Sequence, residues 1–219
     1  MNAQKILSQL MNQAKSAGES TSGSQRGGFD VKSLLGGGAL GLLVGSKRGR
    51  SLGGKAVKYG ALAGLGALAY KAWQAHQANT GASDTSAEDT GRPLETLDGD
   101  AQERRSRVIL QAMIATARAD GHIDEEERAA LTDQIDALGA DDELHTWVER
   151  QMVTPLDADV IASEVDSPQA GREAYLASLA IADDQNPMER AWLDQLAAAL
   201  ELDAELRQTL ERQVQSPAT

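Results

Sequence analysis

An all-α fold is what this sequence predicts, on three observations. From about residue 101 to 216 every convincing apolar periodicity is helical, and no run alternates as a half-buried strand would. The connections between the periodic runs are short, which favours a compact bundle. Two stretches of the region also echo each other. Glu127-Arg128-Ala129-x-Leu131 lines up with Glu189-Arg190-Ala191-x-Leu193 at an offset of 62, each after a helix that ends in Ala-Asp.

Seven helices account for this region. Val108, Ile109, Ala112, Met113 and Ala119 give the first an almost continuous apolar cover, so it is expected at the centre. Leu131, Ile135 and Leu138 mark the second, stopped by Gly139. Leu144, Trp147, Val148 and Met152 form a short third helix that ends near Pro155, and Val160, Ile161 and Val165 a fourth, after an Asp157 cap. Ser167-Pro168 opens the fifth with Ser at N-cap and Pro at N1. Its apolar positions Tyr175, Leu176, Leu179 and Ala182 make it a second central helix. Trp192, Leu193, Leu196 and Leu200 give the sixth, and Leu206, Leu210 and Val214 the seventh.

The part before residue 101 has a different character. Residues 1–80 carry ten Lys or Arg against Glu19 and Asp30 alone, a net of +8, whereas residues 81–219 carry a net of −20. Fifteen of the 21 glycines fall before residue 81, and the 219-residue chain has no cysteine with which to staple either part. Residues 1–15 make no apolar run of the secretory kind. They form an amphipathic helix instead, with Ile6, Leu7, Leu10, Met11 and Ala14 on one face, suited to packing on its own protein, on a second copy or on a membrane surface.

Residues 16–33 are expected to be a flexible tether. Residues 34–76 are glycine-rich and apolar, with Lys47-Arg48-Gly49-Arg50 in the middle, and neither apolar run reaches the ~18 residues of an unaided membrane span. The glycine register is more informative. Gly37, Gly41, Gly45, Gly49 and Gly53 recur every fourth residue, and Ala56, Gly60 and Gly64 make a shorter stripe of the same spacing before Leu68 breaks it. Such a stripe lets backbones approach closely in lipid, or in a soluble glycine zipper that joins copies into a homo-oligomer.

Lys55, Lys58 and Lys71 can snorkel to membrane lipid from a short segment, and Tyr59, Tyr70 and Trp73 stand where interfacial aromatics are expected. The expectation is a membrane-embedded segment, either a hairpin or one helix over about 54–73. A phosphate loop is excluded because no Gly-Lys-Ser/Thr follows Gly36-Gly37-Gly38. Nucleic acid is the weaker use of the basic run, given few aromatics and an acidic partner region. Residues 77–100 are expected as an exposed, acidic linker.

The candidate site is the acidic turn Ala119 to Arg128 with its echo at Ala182 to Arg190. Asp124 with Glu127 has the spacing of a capping box, and Asn186-Pro187-Met188-Glu189 has the same form. Capping leaves Asp120 and Asp183 unexplained, because each follows a helix C-terminus, where the dipole disfavours negative charge. Oxygen ligands from Asp120, Asp124, Glu127, Asp183 and Glu189 converging on Ca²⁺ or another hard divalent cation would explain them. The spacing is not an EF-hand, since Gly121 follows the first Asp directly.

His122 has no second ligand at zinc spacing, and His76 and His145 are expected to face solvent. No serine has a nucleophile setting, so no catalytic residue and no enzyme is predicted. Trp147 and Trp192 are expected to pack in the core.

Asp120-Gly121-His122-Ile123-Asp124-x-x-Glu127-Arg128, Ala180-Ile181-x-Asp183 and Met188-Glu189-Arg190-x-x-Leu193 together resemble the YebE-like family of bacterial inner-membrane proteins of unknown function. The C-terminal part of that family is similar to the TerB-like helical fold of tellurite-resistance proteins. The resemblance implies a TerB-like bundle, membrane attachment and an acidic, metal-binding site, carried over to Asp120, Asp124, Glu127, Asp183 and Glu189. The second turn departs from a full repeat, with Asp184 where the first has Gly121.

The expected function is a non-enzymatic membrane-attached module that binds a divalent cation, a partner protein or both, in envelope or metal/oxyanion stress. The alternative is a soluble scaffold that oligomerises through the glycine zipper.

Overall fold

The computed structural model describes residues 1–19, 64–80, 90–121, 125–182 and 186–215. All regular structure among them is helical. In chain order the helices are α1 (Ala3–Glu19), α2 (Leu65–Thr80), a single 3-10 turn (Leu94–Thr96), α3 (Gly99–Ala117), α4 (Glu125–Ala137), α5 (Asp142–Val153), α6 (Ala158–Glu164), α7 (Pro168–Ile181), α8 (Pro187–Ala199) and α9 (Ala204–Gln215).

The two helices expected at the centre are there. The α3/α7 pair is the most extensive packing among the described residues, and every α7 residue from Gln169 to Ala180 is buried. Ile109, Ala112 and Met113 of α3 and Ala174, Leu176 and Ala177 of α7 are essentially inaccessible. Around this axis α8, α9, α2 and α1 each lay one apolar stripe on the core, and α4 pairs with α5 at one side. Trp192 is buried, its indole N–H donating to Thr116 Oγ1 at 3.1 Å, and Trp147 packs against the core.

The element ends follow local chemistry. Asp157 caps α6 by accepting from Asp159 and Val160, and Ser167 caps α7 with Pro168 at N1. After α4, Gly139 sits at φ +80°. Its amide bonds Asp136 O and the next amide bonds Ile135 O, the paired bonds of a Schellman stop. The same stop closes α8, where the left-handed position is taken by Glu201 at φ +54°.

The region before residue 101 differs from expectation in three ways. First, a continuous helix over 54–73 is ruled out, because Gly64 at φ +116° is not helical and α2 starts only at Leu65. Second, α2 is part of the bundle: Leu65, Ala69 and Ala72 are fully buried against α7 and α9, and Trp73 and Tyr70, expected at a lipid interface, pack on one another with their ring planes tilted by 42° while Trp73 lies under the Arg172 guanidinium at 5.2 Å. Third, the later half of the expected linker is packed, with Thr90, Leu94 and Leu97 buried.

No helix among the described residues is long and apolar enough to cross a membrane. The first four residues of the expected tether, 16–19, belong to α1, while residues 20–33, the stripe from Gly37 to Gly60, Lys47 to Arg50 and Tyr59 lie outside the described residues.

Helix α1 extends to Glu19 and packs on its own protein, its apolar face against α3. The two histidines expected in solvent have acidic partners instead. His145 Nδ1 is 2.8 Å from Asp136 Oδ1, and His76 Nε2 is 3.3 Å from Asp203.

Candidate functional site

The acidic turn begins where α3 runs out. Arg118 is its C-cap, Ala119 N bonds Thr116 O, and Gly121 N bonds Arg118 O with Gly121 at φ +75°. No heavy atom stands within 4 Å of where a Gly121 Cβ would be, so glycine is required here by backbone conformation, not by space. The glycine after Asp120 is thus explained by helix termination. Arg118 turns toward the C-terminal end of α5 and donates to the carbonyls of Gln151 and Thr154. Burial holds its guanidinium below the ordinary value, and the Arg128 charge adds to this.

The second turn is built on Asn186. Its side-chain oxygen caps α8 by accepting from Met188 N at 3.0 Å and Glu189 N at 3.4 Å, with Pro187 at N1. An Asn at this position leaves N–H donors that a capping Asp would not have. That amide donates to Asp120 Oδ2 at 3.4 Å and to Glu189 Oε1 at 3.2 Å. Asp120, at the end of one hairpin, is thereby joined to the helix start of the other, both carboxylates half-buried.

Of the five residues predicted as ligands, the structure brings together Asp120 and Glu189. Asp124, Asp183 and the side chain of Glu127 lie outside the described residues, as does His122. Among the described residues no group of three or more His, Asp or Glu converges as metal ligands.

A second polar centre, which the sequence reading missed, lies in the core between α2, α3 and α7. The Arg105 side chain, 2% exposed, uses all its donors. Nε and Nη2 hold Asp166, Nη2 also reaches Ser167 Oγ at 3.0 Å, and Nη1 reaches Glu173 Oε2 at 2.6 Å and Arg92 O at 3.2 Å. The fully buried Glu173 carboxylate also accepts from Leu94 N and Gln169 Nε2, both at 2.9 Å.

Gln169 Nε2 donates in turn to Gly66 O at 3.0 Å, while Gly66 N donates to Glu95 Oε1 at 2.9 Å. Burial raises the Glu173 carboxyl above the ordinary range in spite of Arg105, and burial pushes Arg172 down to about 10. A Cβ on Gly66 would lie 2.2 Å from Glu95 Oε2 and 2.8 Å from Leu94 N, so α2 docks here only through glycine.

The available signal was position. Arg105 precedes Ile109 by one helical repeat, and Gln169 and Glu173 stand four residues apart in line with Ala177, so the polar groups fall on core stripes. This centre ties Gly66, Thr90, Arg92 and Leu94 to the bundle and explains why the later part of the expected linker, from Thr90 on, packs against it.

The chain is 25% identical over 112 residues to a protein from Yersinia enterocolitica described as an uncharacterized protein in the ampR 5' region, covering 51% of this chain and 81% of that one. No solved structure matches it. The model of the DUF533 family, described as protein of unknown function, matches residues 30–214 and so spans α2 to α9 with both turns and the buried centre. The chain belongs to the DUF533 family, a family of the TerB-like kind.

Proposed function

We propose that this protein is a non-enzymatic, membrane-attached module whose helical bundle binds a divalent cation, a partner protein or both where Asp120, Asn186 and Glu189 meet. One observation carries the reading: a single neutral amide serves two carboxylates from opposite helical hairpins, at 3.4 Å and 3.2 Å. Two carboxylates brought to one side chain from the two turns are the oxygen chemistry that a hard cation or a basic side chain recognises. Asp124, Glu127 and Asp183, adjacent in sequence, are the further oxygen ligands a hard ion would recruit.

Membrane attachment rests on the glycine-rich, lysine-flanked sequence and on its likeness to the YebE-like inner-membrane proteins. With α2 in the bundle, the attaching segment is confined to residues 34–63. The corresponding setting is envelope or metal/oxyanion stress.

The test is thermal unfolding of the detergent-solubilised full chain with added Ca²⁺ or Mg²⁺. Saturation at a hundred times Kd adds about 2.7 kcal/mol, and the Asp120→Asn/Glu189→Gln variant loses that gain. An absent shift, or an equal shift in the variant, overturns the ion reading. The burial of Leu65, Ala69 and Ala72 in protein favours a second reading, a soluble scaffold joined through the glycine stripe. Release from membranes by carbonate without detergent would select it.

A further inference from the structure

The groove that α1 fills is a helix-docking site, and we propose that a second copy of the chain can fill it, α1 being exchanged between two molecules. The seat is separate from the covalent path. Helix α1 packs on α3, and the apolar residues lining the space beneath it come from α3, α4 and α5, none of which begins before Gly99.

Four side chains, Ala3, Ile6, Leu7 and Leu10, all 3% exposed or less, enter the groove at helical spacing. A small, wholly apolar hollow remains between Ile6 and Leu10 and the groove floor.

The polar contacts read the start of a helix, whichever molecule it comes from. Glu103 of α3 accepts from the amides of Ala3 at 2.6 Å and Gln4 at 2.9 Å, which takes up first-turn donors and puts a negative charge at the positive end of the dipole. Asn2 spans the α4–α5 turn, donating to Gly139 O at 2.8 Å and accepting from Asp141 N at 3.1 Å.

Between Glu19 and Leu65 lie 45 residues, whose greatest reach of about 150 Å sets no barrier to placing α1 on a neighbour. An α1 from a neighbour would make the same contacts as the chain's own. The two arrangements then differ only in connectivity, the condition under which identical elements are exchanged in reciprocal pairs.

The absence of cysteine makes the test specific. Full-length chains carrying Asn2→Cys alone and Ala140→Cys alone are mixed over a range of concentrations and joined with a short bismaleimide. Exchange gives a covalent heterodimer whose yield rises with concentration and incubation time. It also gives far less product when Ala140→Cys is replaced by Val160→Cys, an exposed position outside the groove.

The double variant Asn2→Cys/Ala140→Cys reports the seat itself and is expected to link within one chain at low concentration. Internal linking of the double variant with no heterodimer from the mixture at any concentration overturns the proposal. So does a heterodimer yield equal to that of the Val160→Cys control.

Discussion

The two polar centres of this molecule use similar residue types to opposite ends. Arg105 and Glu173 are both inaccessible: the Arg105 donors go to the Glu173 and Asp166 carboxylates, Ser167 Oγ and Arg92 O, and Glu173 also accepts from Leu94 N and Gln169 Nε2. Around Asp120 and Glu189 the carboxylates are half-buried and share one amide at longer distances. A buried, fully satisfied network fixes geometry, and opening it leaves a charge in the core. A half-exposed pair of carboxylates costs less to keep charged, because solvent still screens it. The first centre is architecture; the second is where we propose recognition.

This contrast is strongest under truncation. Glu173→Ala strands Arg105 Nη1 and Leu94 N and is expected to cost about 3–5 kcal/mol, seen by calorimetry as a fall in Tm of about 10 °C. If it costs less than about 1 kcal/mol, the centre is not what holds α2 and the segment around Leu94 in place.

Gly66→Ala sets a Cβ against Leu94 N and Glu95 and is expected to lose about 1–3 kcal/mol. The loss should come with faster amide exchange across α2 and residues 90–97, while α4 and α5 are unaffected. Asp120→Asn/Glu189→Gln belongs at the other end, within about 0.5 kcal/mol of wild type without added cation. A large loss there would make the turn pair structural as well.

The smallest expected effect concerns another surface pair. The hydrogen bond to Asp136 raises the His145 pKa above its ordinary value, and Glu149 adds to it. A raised histidine pKa gives stability that is complete below the unfolded value of about 6.5 and is lost as pH rises through the folded one. The Tm should therefore fall slightly between about pH 6 and 8, and Asp136→Asn should flatten that slope.

Much of the bundle is visible in the residues because its rules are local. Gly139 ends α4, Asp157, Ser167-Pro168 and Asn186-Pro187 start helices, and nearly continuous apolar cover marks α3 and α7 as central. The glycine-rich half misleads for a physical reason. Gly66 lies outside the every-fourth stripe and permits a close approach to Leu94 N and Glu95, and nothing in its immediate sequence distinguishes that from an approach to another helix in lipid.

By itself the sequence determined the all-α class, the helix ends at Gly139, Asp157, Ser167 and Asn186, the echo of the two turns and the absence of a disulfide framework, since capping, periodicity and composition act over a few residues. Only the tertiary structure decided that Arg105 meets Glu173, that α1 and α2 join the bundle, and that Asp120 reaches Asn186. Each of these joins residues more than sixty positions apart, and such meetings are fixed by packing, not by spacing along the chain.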